Sequence, residues 1–337
     1  MTMSTLQKTL WTCVWVVSAV ACENTLVAPT NATRSAGVIF SQASDFVRTH
    51  SAFLGIKNLN WDAISARFGA RVYEGMPDGE LFDVIGAMLL ELQDGHALLY
   101  VRDKDVTVWD YARGYPTNFD KQLLESHYWQ NSQKIGPFTV ATLDGVGYVY
   151  YPSFAEKVEE RHMDAVVDAL ATTRGLIIDI RSNGGGDGAN STVILGRLTD
   201  REVYLGKQLV KSGPAPNDFV ESRYVLRPSA SAKKYLNKKV VVLTNRGNAS
   251  AAAFFVAFAK VLNNVMSVGD TTGGAGGVGT SLQLGNGWQI VVSSTLGIDA
   301  NGNVIENGIE PTLKVDQTAV DLLNRRDSIL EAAVAQF

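Results

Sequence analysis

The sequence predicts an α/β fold, with a βαβ core and parallel sheet in its C-terminal half and a helical domain before it. Three observations carry this. Residues 176–180 and 239–244 are continuous apolar runs, as expected of strands buried on both faces. An apolar helix over 250–262 separates the second run from a strand at 264–268, and that spacing makes a crossover between parallel strands. Upstream, Leu81, Val84, Ile85, Met88, Leu89 and Leu92 recur at the spacing of one helix face.

Composition narrows the function. The chain has 337 residues, 46% hydrophobic and 19% charged, a globular mixture with room for two domains. Lys+Arg number 30 against 34 Asp+Glu, for a net charge of −4, so the basic footprint of a nucleic-acid binder is absent. Only two cysteines occur, Cys13 and Cys22, too few for a disulfide framework or zinc finger. None of the four histidines (His50, His96, His127, His162) lies at metal-ligand spacing, so a purely metal-dependent mechanism is disfavoured.

The elements follow in order. Residues 1–21 read as a signal peptide: Lys8 precedes a 13-residue apolar run over 10–22. A membrane span needs about 20 residues, whereas a secretory signal needs fewer. Ala19-Val20-Ala21-Cys22 resembles a bacterial lipoprotein processing box, which would lipidate Cys22. Plain cleavage after Ala21, leaving a free thiol, is the alternative. Export to the periplasm or cell envelope follows, with membrane contact only through the lipid. Residues 22–36 are polar and form a tether.

Residues 37–100 form the N-terminal helical domain, with Asp78 expected to cap a helix that ends at Asp94-Gly95 and presents His96. Residues 101–140 hold Trp109, Tyr111, Tyr115, Tyr128 and Trp129 without clear period, and read as a linker or a cover over a cleft. Residues 141–337 form the α/β core. It has a strand at 146–151 and a helix face of Met163, Val166, Val167 and Leu170. The strand at 176–180 breaks at Asn183-Gly184-Gly185-Gly186. A hairpin pairs 281–284 with 288–293, and a final helix from about Asp316 carries Leu322, Leu323 and Leu330.

Four features could carry chemistry. Ser250 sits where a buried strand turns into a helix, so its hydroxyl meets a helix N-terminus that favours negative charge. A serine there is as often a plain N-cap. Gly184–Gly186 let backbone amides approach a ligand, but lack the lysine and spacing of a phosphate loop. An oxyanion site fits better, and a tight turn is the bland alternative. His96 follows a helix end, where a lone histidine is usually a surface residue. Glu306 lies in a turn-rich loop and gains interest only as third member of a nucleophile, base and orienter set.

Together, in this order, the features resemble the C-terminal processing (tail-specific) serine peptidases. Arg181-Ser182-Asn183-Gly184-Gly185-Gly186 resembles that family's Arg-x-Asn-Gly-Gly-Gly element, and Asn248-Ala249-Ser250 its nucleophile turn. Gly269-Asp270-Thr271-Thr272-Gly273-Gly274 and Asn307-Gly308-Ile309-Glu310-Pro311 resemble its later loops. Asn60-Trp61-Asp62 and Leu92-Gln93-Asp94-Gly95-His96 resemble the branch of the tricorn core protease and the retinoid-binding repeats. The resemblance runs from about residue 40 to 335 and implies a crotonase/ClpP-like core. It implies Ser250 as nucleophile, His96 as base, Glu306 as the acid supporting it, and Gly185 or Gly186 with Ala251 as oxyanion donors.

The departures bear on mechanism. The lysine base of the Ser/Lys branch falls at Ala275, and no lysine lies between Lys260 and Lys314. A neutral imidazole suits proton abstraction near pH 7. The serine that precedes the histidine in the tricorn protease is Gly95 here, so Glu306 must reach His96 directly or through water. The glutamate that usually follows the nucleophile by three residues is Ala253, and the closing Pro-Asp is Pro311-Thr312. The expectation is an exported serine peptidase acting on peptides or proteins, with no metal or cofactor needed and its oligomeric state open. A non-catalytic peptide- or lipid-binding lipoprotein on the same fold is the alternative. An acyl-CoA enzyme shares the oxyanion logic but conflicts with export.

Overall fold

The computed structural model describes residues 35–101 and 106–337. The expected signal peptide, Cys22 and nearly all of the expected tether lie outside them.

Three helices open the described chain: α1 (Ala36–His50), α2 (Trp61–Gly69) and α3 (Asp78–Leu90). The Asn60 side chain caps α2, accepting from Ala63 N at 3.1 Å. The α3 periodicity is as predicted, with Leu81, Val84, Ile85, Met88 and Leu89 buried. Its cap is not. Pro77 is the extended N-cap, and Asp78 is already helical and makes no capping bond. Its carboxylate still faces the positive end of the helix dipole.

The chain continues through β1 (Leu98–Tyr100), β2 (Val106–Val108), a single turn α4 (Lys121–Leu123), β3 (Gln133–Ile135), β4 (Phe138–Leu143) and β5 (Val146–Tyr150). Then come α5 (Glu160–Ala169), β6 (Leu176–Asp179), α6 (Ala189–Leu195), β7 (Val203–Lys211) and β8 (Phe219–Leu226). The last third holds β9 (Val240–Thr244), α7 (Ala251–Ala259), β10 (Val265–Gly269), β11 (Gly279–Gln283), β12 (Gln289–Ser293) and β13 (Thr295–Asp299). It closes with β14 (Leu313–Lys314), α8 (Ala319–Leu323) and α9 (Ser328–Val334).

The central sheet has the order β14-β10-β9-β6-β5-β4-β3. It is parallel from β14 to β5 and antiparallel at β4 and β3. Successive side chains of a strand point to opposite faces. Ile178, Val240 and Val242 therefore pack with α7 residues such as Phe255 and Val256. Ile177, Val241 and Leu243 pack with Ile329 and Leu330 of α9. Two covered faces explain the continuous apolar runs. The sheet begins at Gln133, so the last part of segment 101–140 pairs within it.

The predicted hairpin forms, β11 against β12, but it leaves its own half of the chain. It joins β1 and β2 in a sheet of order β11-β12-β1-β2. There Leu284, Trp288, Ile290 and Val292 share a core with the residues of α1, α2 and α3. A third sheet, β13-β7-β8, includes a long hairpin that the sequence reading passed over. The predicted last helix is two. Asp327 caps α9, accepting from Leu330 N at 2.9 Å, and the chain breaks there. Leu330 is buried, whereas Leu322 and Leu323 of α8 are exposed.

Candidate active site

The carboxyl ends of β6 and β9 lie side by side, and each feeds a turn. In α/β sheets ligands bind at this end of the strands. After β6, Asn183 shapes the glycine turn. Its Oδ1 accepts from Phe154 N at 3.3 Å and Gly185 N at 3.0 Å, and its Nδ2 donates to Tyr151 O at 3.0 Å. After β9, Asn248 Oδ1 accepts from Asn245 N at 2.8 Å, and its Nδ2 donates to Ile180 O. Asn245 Oδ1 in turn accepts from Ser182 N at 2.8 Å. These side chains bind the two turns to each other. Below them the fully buried Arg181 donates to Asp179 (Nη2–Oδ2, 2.7 Å) and Asp327 (Nη1–Oδ1, 2.9 Å).

Ser250 occupies the start of α7 with φ 53° and ψ −127°. A residue with a Cβ rarely adopts this backbone, which costs on the order of 1–3 kcal/mol. Its side chain makes no capping bond, so the plain N-cap reading fails. Its amide donates to Gly274 O at 2.9 Å. A strained strand-to-helix turn with an uncommitted hydroxyl is the geometry of a nucleophile elbow.

Gly185 stands against this turn. A Cβ there would lie 2.8 Å from Ser250 Cβ and 3.0 Å from Ala251 N, so only glycine fits. Its amide, however, is spent on Asn183 Oδ1. That corrects the expectation that Gly185 N serves as an oxyanion donor. The Gly186 and Ala251 amides have no acceptor among the described residues.

His96 lies in the turn between α3 and β1. Its backbone N–H donates to Asp94 Oδ1 at 2.8 Å, and Asp94 is held by Ser293, through N at 2.9 Å and Oγ at 2.8 Å. The imidazole Nδ1 is buried with no partner among the described residues. Burial lowers the His96 pKa, against an opposing pull from Asp94. The loop 273–276 touches both the turn that carries His96 and the backbone of Ser250. Gly274 binds the serine amide, while a Cβ on Gly95 would meet the Ala275 methyl at 2.7 Å. Among the described residues no hydrogen bond yet joins Ser250 to His96.

Glu306 is brought to the same loop but not onto His96. Its Oε2 accepts from Gly276 N at 2.8 Å, and its Oε1 from Lys57 Nζ at 2.8 Å. Of the two routes expected to the imidazole, direct or through water, the direct one is absent, and the carboxylate makes these two bonds. Burial pushes the Glu306 carboxyl up to about 7, with Lys57 pulling it down and Asp94 pushing it up. No local pattern marks Lys57: it sits in a turn among Phe53, Leu54, Ile56 and Leu59, and its acceptors lie far along the chain at Leu92, Gln93 and Glu306. Segment 109–118 covers this region. Arg246 donates to Tyr111 O at 2.8 Å and stacks 4.1 Å from the Tyr115 ring, and Asn245 donates to Thr117 O at 2.8 Å. His50 stacks on Phe46, His127 lies edge-on to Tyr128, and His162 completes the α5 capping box, all remote from Ser250 in role.

The family described as Peptidase family S41 matches residues 145–315, which hold the glycine turn, Ser250 and Glu306. The chain belongs to peptidase family S41. CtpA of Bacillus subtilis (strain 168), a carboxy-terminal processing protease, is 28% identical over 176 residues, 51% of this chain and 35% of CtpA. The match thus spans about a third of that relative's length. A crystal structure of a chain from Parabacteroides merdae ATCC 43184, assigned as a peptidase, is 33% identical, with TM-score 0.86 over 90% of this chain and 97% of that one. The tricorn protease, at 15% identity and TM-score 0.58, covers 89% of this chain and 36% of its own, and shares the fold.

Proposed function

We propose that this S41 chain is an exported serine peptidase in which Ser250 attacks a peptide carbonyl with His96 as general base. The observation that carries the reading is the backbone of Ser250, strained and uncapped beside two open amides. Strain of this kind persists where the surroundings enforce it, and it concentrates at reacting residues. The imidazole accepts the Oγ proton as the Oγ–C bond forms, then passes it to the leaving amine, and water releases the acyl group. The Ala251 amide, at the dipole-positive end of α7, and the Gly186 amide of the adjoining glycine turn stabilise the oxyanion. His96 suits the base role because burial keeps it neutral at pH 7. Glu306 acts on the site through the loop it pins. Export and lipidation of Cys22 belong to the same proposal and rest on residues 10–22.

A fluorophosphonate probe tests it. Folded protein is expected to form an adduct that is lost in Ser250→Ala, and no adduct on folded wild type refutes the peptidase. Casein hydrolysis at the same rate in wild type and Ser250→Ala would instead favour a binding protein.

A further inference from the structure

We propose that Lys57 is a positioning residue that clasps the His96 loop to the Glu306 loop and so sets the separation of His96 from Ser250; this rests on the peptidase reading. The clasp is a three-pronged contact. Lys57 Nζ donates to Glu306 Oε1 at 2.8 Å, Gln93 O at 2.7 Å and Leu92 O at 3.1 Å. An ammonium has three donors, and all three are placed. Its stem lies against Phe53, with Nζ 4.7 Å from the ring centroid. Saturation of the ammonium by acceptors also argues that Lys57 does not replace the missing lysine base.

Each prong has a reason. Leu92 and Gln93 lie just beyond the carboxyl end of α3, where free carbonyls attract a cation. Gln93 takes a left-handed backbone, φ 47°, which turns the chain toward Asp94 and His96. Glu306 is nearly buried, and a lone buried carboxylate is costly, so a cation at this point favours its ionised form. Ionised Glu306 holds Gly276 N with its other oxygen. The loop 274–276 is thereby fixed, with Gly274 on the serine amide and Ala275 against Gly95. Lys57 thus grips both walls of the space in which Ser250 and His96 must meet. The groups facing Glu306 are Lys57, Asp94 and the Gly276 amide. Without Lys57, burial and Asp94 act unopposed by any cation, and the carboxyl titrates higher than about 7.

The test measures the rate of Ser250 labelling by fluorophosphonate against pH for wild type, Lys57→Met, Lys57→Arg, Glu306→Gln and the Lys57→Met/Glu306→Gln pair. Lys57→Met is expected to slow labelling about tenfold at pH 7 and to move the acid limb upward. Lys57→Arg is expected to restore much of the rate, and adding Lys57→Met to Glu306→Gln to move the pH limb no further. A folded Lys57→Met with wild-type rate and limb overturns the clasp. Hydrogen exchange gives a readout independent of chemistry. Faster exchange in Lys57→Met at both 92–96 and 273–277, with α7 unchanged, supports the clasp, and unchanged exchange overturns it. Absence of any wild-type adduct sinks the peptidase and the catalytic consequence, while exchange still decides the clasp. If Lys57→Met fails to fold, Lys57→Gln carries the same comparison.

Discussion

At the scale of single residues, Ser250 and Glu306 both hold states that water would not give them. Ser250→Gly should relieve the positive-φ strain and raise stability by about 1 kcal/mol, while Ser250→Ala, which keeps a Cβ, should not. Denaturant midpoints of the two variants check this, and equal midpoints would contradict it. Glu306 gives a pH signature. Its folded pKa, about 7, lies above the ordinary glutamate value of 4.5. The folded state therefore holds this proton more tightly. The stability it contributes is complete below about pH 4.5 and disappears as pH rises through about 7. The full span is roughly 3 kcal/mol at 1.36 kcal/mol per pH unit. Glu306→Gln should flatten that fall in a series of unfolding curves from pH 4.5 to 8. His96 has the opposite sign. Its lowered folded pKa adds stability that is present above its unfolded value near 6.5 and is lost as pH falls through the folded one.

At the scale of elements, the Arg181 triad ties the glycine turn to the cap of α9. Removing one carboxylate leaves an uncompensated buried guanidinium, at about 3–5 kcal/mol. Asp327→Ala also removes the α9 cap and should destabilise at the upper end of that range, by guanidinium unfolding. The exposed Leu323→Lys should change stability by less than about 0.5 kcal/mol. These two cases show where sequence reading succeeds and where it fails. The parallel strands, the α3 face and the strand-to-helix turn at Ser250 were legible because burial leaves a periodic mark. The long β7–β8 hairpin was not, since Val220 and Val225 are exposed on opposite faces of β8 and blur the apolar alternation. The split at Asp327 and the placing of Glu306 on Lys57 depend on partners far along the chain, which no local pattern records.

At the scale of the whole molecule, no helix among the described residues is long and apolar enough to cross a membrane. The site is assembled from both halves: His96 and Lys57 come from the helical layer, and Ser250 and Glu306 from the core. The Lys57–Glu306 pair and the Asp94–Ser293 contacts join them. The loss of either should lower activity more than it lowers stability, as kcat/KM against unfolding midpoint for Asp94→Asn would show.

The hairpin β11–β12 also shapes how the molecule is made. Leu98 pairs with Val291, so the first layer receives its final strands from roughly 190 residues farther along the chain. Pairings so distant in sequence slow folding, because a long loop must close before they form. Until then α1, α2 and α3 lack the cover of Ile290 and Val292. A chain truncated before Gly279 should therefore stay open or aggregate. The placing of His96 and Lys57 beside the core would likewise wait until residues 279–293 are available to close the first layer.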